Sequence, residues 1–182
     1  MSGVAPDPAL ALTTTLLLAS IFATAAVGKL RALDRFEGVV RNYRLLPDRL
    51  VRPVVHGLPL VELAAAAGLI LPATRPLAAA ALILLLLVFA AAMAVNLRRG
   101  RHDIDCGCHL GLLKQRISWA LVARNLLLAG LASALILGDG HARPLGGLDG
   151  VTVLAGTLSL LILYAAFGRL FGLAPAGLKG AR

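Results

Sequence analysis

The only two cysteines of the chain, Cys106 and Cys108, stand on either side of Gly107 in the polar stretch Asp105-Cys106-Gly107-Cys108-His109. A pair this close encloses almost no loop, so a bond between them cannot staple the fold, and any role they have lies in reactivity or ligation. Fully extended, residues i and i+2 hold their Cα atoms too far apart for a disulfide. A positive φ at the intervening glycine draws the sulfurs together. The small ring formed would be strained and easily reduced, as labile or catalytic disulfides are. Arg98, Arg99, Arg101, Lys114 and Arg116 surround the pair in sequence and favour thiolate over thiol, Asp103 and Asp105 oppose them, and His109 offers a base or a counter-charge. The redox reading therefore takes Cys106 and Cys108 as the reactive pair, with Asp105 and His109 in support.

The same residues admit two plainer readings. Cys106, Cys108, His109 and His102, with Asp103 or Asp105, form a donor set suited to zinc or copper(I). Ligands at i, i+2 and i+3 are crowded, however, and the second pair of a structural zinc site is missing, so no metal is assigned. Coincidental cysteines in a reducing compartment are the other plain reading. No quinone or flavin motif is present, and no cofactor is assigned.

These residues are set among long apolar runs. Of the 182 residues 59% are hydrophobic and only 15% charged, against about half and about a quarter in soluble domains. So few charges cannot clothe one core in water, and the solvent must be lipid. The formal charge of +9 falls between apolar runs and is not interleaved with aromatics, which speaks for an orientation signal and attraction to anionic headgroups, not for nucleic-acid binding.

Five runs are long enough to cross about 30 Å of hydrocarbon. They are expected at about 10–28, 53–71, 77–97, 117–137 and 151–170, making the whole chain one integral-membrane domain. The fold class expected is all-α and polytopic: a four-helix bundle core, one peripheral span and a short interfacial helix. The first run lacks a basic start and carries Asp7, which is wrong for a cleaved leader. Between the first two runs, Asp34 and Glu37 have the spacing of a capping box, and Phe36, Val39, Val40 and Tyr43 fall on one helical face. That segment is expected either to lie in the membrane interface or to pack on the bundle. Ala64 to Gly68 offers small residues for close helix packing. Sixteen of the eighteen Lys and Arg fall on one side of this five-span layout, only Arg75 and Arg143 on the other. The arrangement expected is a multi-pass protein of the cell's inner membrane with the N-terminus out and the C-terminus cytoplasmic.

Inside the spans, Glu62 is the one acid, and intramembrane carboxylates are functional candidates by default. Arg124 and His56 are its candidate partners, and a proton relay beside the cysteines or a packing role are its candidate tasks. Arg124 and Asn125 sit about two turns into the fourth run, with snorkelling to the inner surface as the plain reading of Arg124.

Taken in order, Gly28-Lys29-Leu30-Arg31, Phe36, Asn42-Tyr43-Arg44-Leu45-Leu46-Pro47, Pro59, Glu62, Asn96, Asp105-Cys106-Gly107-Cys108 and Arg124-Asn125 give a chain that resembles the MauE family. These are membrane proteins named for methylamine utilisation and grouped with DoxX-like four-helix proteins. The resemblance spans roughly residues 16–128. It departs directly after the cysteines, where His109-Leu110-Gly111 stands in place of the family's usual Phe-Gly. The resemblance implies a redox-associated membrane protein that works with a thioredoxin-like partner in maturing a disulfide-rich exported protein. The function expected is thiol–disulfide exchange or electron transfer through Cys106 and Cys108, with His109, Asp105, Glu62, Arg124 and Asn125 in support. The charge pattern places the cysteines on the cytoplasmic side, so either the loop re-enters between helices to serve an exported substrate or the pair reduces only cytoplasmic partners. A non-catalytic scaffold for an exported or membrane partner, or a Cys/His metal-handling protein, are the alternatives.

Overall fold

The computed structural model describes residues 7–107, 115–137 and 146–172 and is all-helical across them. Helix α1 spans Pro8–Arg31, α2 Leu33–Tyr43, α3 Asp48–Ile70, α4 Arg75–Arg98, α5 Trp119–Leu137 and α6 Gly147–Gly172. All but α2 are long and apolar enough to cross a membrane.

Local chemistry sets the helix ends. The Asp7 carboxylate accepts from the Ala9 N–H at 2.9 Å, and Pro8 occupies the first turn of α1, where its missing N–H costs nothing. Ala32, at φ −140°, breaks the chain between α1 and α2. The expected cap by Asp34 is not formed. Ala32 holds that position without a side-chain bond, and Asp34 lies within the first turn of α2, where its charge faces the positive helix end. Arg44, at φ +50°, ends α2 in the left-handed region. Helix α3 begins at Asp48, five residues before the expected start at 53, because Pro47 is extended and Pro53 is carried inside the helix. Between α3 and α4 the Thr74 hydroxyl donates to the Gly68 carbonyl at 2.8 Å. At the start of α6 the Asp149 carboxylate accepts from the Gly146 N–H at 2.6 Å.

Helices α1, α3, α4 and α5 close a four-membered ring, α1 on α3, α3 on α4, α4 on α5 and α5 back on α1. Its core holds Leu17, Leu18, Phe22, Leu69, Leu82 and Ala132. The small residues of α3 do what their size permits. A Cβ on Gly68 would come within 3.0 Å of the Ala78 Cβ, so α3 and α4 approach closely there. Helix α6 lies outside the ring against α1, with only 11% of its span buried against 33–44% for the other four. Outward faces carry Leu77, Leu84, Leu127, Leu154 and Leu163, each more than half exposed, as lipid-facing surfaces require. Helix α2 packs on α3, with Phe36 buried against Val51 and Val55.

Candidate functional site: a cysteine turn beside a polar core

Beyond α4 the chain folds back under the end of the bundle. Asn96 is fully buried and organises the reversal: its Oδ1 accepts from Arg101 Nη1 at 2.9 Å, and its backbone carbonyl accepts from the Arg101 N–H at 3.0 Å. Arg101 Nη1 also reaches the Tyr43 carbonyl at 3.5 Å, joining the loop to α2. Asp105 and Arg116 then form an antiparallel bridge, with the Cys106 N–H donating to the Gln115 carbonyl at 2.7 Å and the Ile117 N–H to the Ile104 carbonyl at 2.9 Å. Ile104, Cys106 and Ile117 are buried with Met93, Leu97 and Leu121.

Cys106 is 7% exposed, and its Sγ lies 3.9 Å from the Met93 Sδ. Gly107 follows at φ +68°, the conformation expected of it. The Asp105 carboxylate fixes that turn by accepting from the Gly107 N–H at 3.2 Å, so Asp105 acts on the shape of the loop. A Cβ at Gly107 would meet the Val39 Cγ1 at 2.9 Å, so only glycine fits under α2. The Tyr43 hydroxyl lies 3.4 Å from the Cys106 carbonyl. Cys108 and His109 lie outside the described residues, as does Lys114.

Two of the cations that neighbour the pair in sequence are engaged elsewhere. Arg101 is turned to Asn96 and Tyr43, and Arg116 pairs with Asp103 at 2.9 Å on the surface. Cys106 and Gly107 instead line an apolar cavity of about 220 Å³ between α2, α3 and α4, walled by Phe36, Val39, Leu58, Phe89 and Met93, with Lys29 in its lining. Among the described residues no three His, Cys, Asp or Glu side chains converge on a metal position.

Glu62 finds its partner in neither Arg124 nor His56. Lys29, near the end of α1, donates to both carboxylate oxygens, at 2.5 and 2.7 Å, with the lysine 5% and the glutamate 1% exposed. His56 is exposed and its ring Nδ1 lies 2.9 Å from the Arg52 carbonyl. The Lys29 ammonium also sits over the Phe36 and Phe89 rings, 5.6 and 5.4 Å from their centroids. Nor does Arg124 snorkel. It is 6% exposed and its guanidinium stacks over the Tyr164 ring of α6 at 4.9 Å. Lys29, Glu62, Arg124, Asn125 and Tyr164 together line a second cavity of about 30 Å³. Lys29 lines both spaces and is the link between the cysteine turn and the polar core.

Sequence reasoning named Glu62, Arg124 and Asn125 as supporting residues, and missed Lys29 as the partner of Glu62, reading it as an orientation charge and as part of the family motif. The signal existed: a lone buried acid requires a cation within reach on a neighbouring span, and Lys29 ends the first apolar run. Tyr43 and Gln115, whose groups hold the turn, carried no such signal. Gln115 Nε2 donates to the Gly168 carbonyl at 2.8 Å, tying the loop to α6.

Fold and site define a polytopic helical membrane protein with a cysteine turn folded under its bundle and a buried ion pair beneath. The family model described as methylamine utilisation protein MauE matches residues 7–138, and the chain belongs to that family. It is 48% identical over 167 residues to the methylamine utilization protein MauE of Paracoccus versutus, covering 91% of this chain and 90% of the relative. The Paracoccus denitrificans protein of the same name is 44% identical over 161 residues, covering 88% and 87%. That of Methylorubrum extorquens is 44% identical over 162 residues, covering 89% and 82%. No solved structure matches.

Proposed function

We propose that this chain serves methylamine utilisation as a membrane thiol–disulfide exchange protein acting through Cys106 and Cys108. It supports the maturation of an exported protein together with a thioredoxin-like partner. It resides in the inner membrane with its N-terminus outside and its C-terminus in the cytoplasm. In one direction of exchange, the thiolate of one cysteine attacks a partner disulfide, forming a mixed disulfide and expelling one partner thiolate. The second cysteine then attacks that bond, expelling the other partner thiolate. Two electrons pass to the partner and the Cys-Gly-Cys pair is left oxidised.

The observation that carries this reading is the geometry at Gly107. A positive-φ glycine follows Cys106 directly, held by the Asp105 carboxylate and pressed against Val39, as a tight Cys-x-Cys turn requires. Asn125, Arg124 and Glu62 support it from beneath through Lys29, and His109 is the nearest titratable neighbour of Cys108 in sequence. Lipid is the other partner, since five apolar helices face outwards.

The burial of Cys106 favours a second reading, a scaffold in which the cysteine is a small core residue. Cys106→Ser and Cys108→Ser separate the two. Exchange requires that either substitution abolish maturation of the exported protein while the membrane protein still accumulates, and that Cys→Ser at the resolving position trap a mixed disulfide with the partner. Full maturation in the double variant would leave only the scaffold.

A further inference from the structure

The corner between α2 and α3 joins a basic rim to the larger, apolar cavity, and neither the thiols nor the ion pair explains that pairing. Residues 31–52 carry six arginines against three acids, Asp34, Glu37 and Asp48, a net charge of +3. Arg41 is paired with Glu37 at 2.8 Å and with Asp48 at 2.7 Å. Arg44, at φ +50° where α2 ends, is exposed and has no ion pair among the described residues. It stands between Tyr43 and Leu45, which both line the cavity between α2, α3 and α4. Arg101 reaches the Tyr43 carbonyl at 3.5 Å, so a second cation sits at the same rim. Behind the rim the cavity is open on one side, where Leu45 and Leu46 are 39% and 38% exposed and Val88 of α4 is 53% exposed. Val88 lies ten residues, or about 15 Å, inside the α4 end at Arg98, which matches one leaflet of a hydrocarbon core about 30 Å thick.

We infer that this cavity holds one acyl chain of an anionic phospholipid whose phosphate is taken by Arg44 and Arg101. The open side lies along membrane-spanning helices and faces hydrocarbon. A polypeptide occupant would leave its backbone N–H and C=O groups unsatisfied against these apolar walls, whereas a lipid chain brings no polar group with it. The rim selects the headgroup. Guanidinium groups match phosphate oxygens in geometry, and the surplus of arginines repels the cationic amine of a zwitterionic lipid. In this assignment the chain runs from the rim past Phe36 and Met93 to Val88, and it covers the Gly107 turn from the bilayer side. A lipid, not a further protein segment, thus completes the wall around the cysteine turn. The inference is independent of the thiol chemistry.

The test is native mass spectrometry of the full chain released from nanodiscs of equal parts phosphatidylglycerol and phosphatidylcholine. The site requires one phosphatidylglycerol retained per chain in preference to phosphatidylcholine. Arg44→Asn removes the charge with a residue that suits the left-handed backbone, and it should lower that preference about fivefold. Arg35→Gln, an exposed charge change nine residues back on α2, should leave the preference unaltered. Ala92→Phe, which places a ring where the chain would lie, should abolish retention of either lipid. Equal retention of the two lipids by the parent chain would overturn the inference. So would equal losses in Arg44→Asn and Arg35→Gln, the mark of a diffuse field without a site, or parent-like retention in Ala92→Phe. Arg44→Asn leaves the core untouched and keeps the readout decisive if the phenylalanine variant fails to insert.

Discussion

Single residues carry the account at Gly107 and at the Lys29–Glu62 pair. Gly107→Ala combines a left-handed backbone, which costs a residue with a Cβ roughly 1–2 kcal/mol, with a Cβ only 2.9 Å from Val39 Cγ1. Loss of exchange activity with retained membrane insertion is the expected result, and adding Val39→Ala should recover only the steric share. Activity measured in the single and double variants decides this. At the ion pair, Glu62→Gln leaves the Lys29 ammonium buried without its charge partner, and breaking such a pair costs about 3–5 kcal/mol. The variant should unfold at markedly lower temperature, whereas Lys29→Met combined with Glu62→Leu should lose less than either single change. Unfolding in detergent checks both. Glu62 was legible in the sequence because a carboxylate in an apolar run is rare. Its partner was legible only as a kind of residue, a cation at the end of a neighbouring span; that it is Lys29, 33 residues away, follows from the packing of α1 on α3.

At the scale of elements, the cysteine loop is held from three sides: α2 through Tyr43 and Val39, α4 through Asn96, and α6 through Gln115. Removing the Gln115–Gly168 hydrogen bond with Gln115→Leu should cost about 1 kcal/mol. It should also raise the rate at which Cys106 reacts with a maleimide several-fold, and labelling kinetics on the purified protein measure this. An unchanged rate would mean that α6 has no hold on the turn. The five long helices were readable from apolar run length alone, since lipid permits little else. Their ends were not. Asp34 had the spacing of a cap and lies within the first turn, because Ala32 breaks the chain earlier. Helix α3 begins five residues before Pro53 and carries that proline in its second turn, where the bond to the Arg49 carbonyl is lost. The inward turn of Arg124 depended on where α6 lies, and no periodicity in α5 encodes that.

For the whole molecule, the ring of α1, α3, α4 and α5 seats a polar core beneath a folded-back loop, with α6 as its cover. This architecture gives a buried cysteine a fixed turn and sets Lys29, the partner of buried Glu62, in the lining of the same cavity. The proposed orientation puts the loop on the cytoplasmic side, and a reporter fused after α6 should be active only in its cytoplasmic form. The pairing of Cys106 with Cys108 is the central claim, and thiol labelling in intact cells tests it most directly. A membrane-permeant maleimide and an impermeant one are compared, with and without prior reduction. The account predicts a fraction of molecules in which the pair labels only after reduction, as an oxidised Cys-Gly-Cys must. Free labelling of both cysteines by the permeant reagent without any reductant, in cells actively maturing the exported protein, would contradict it.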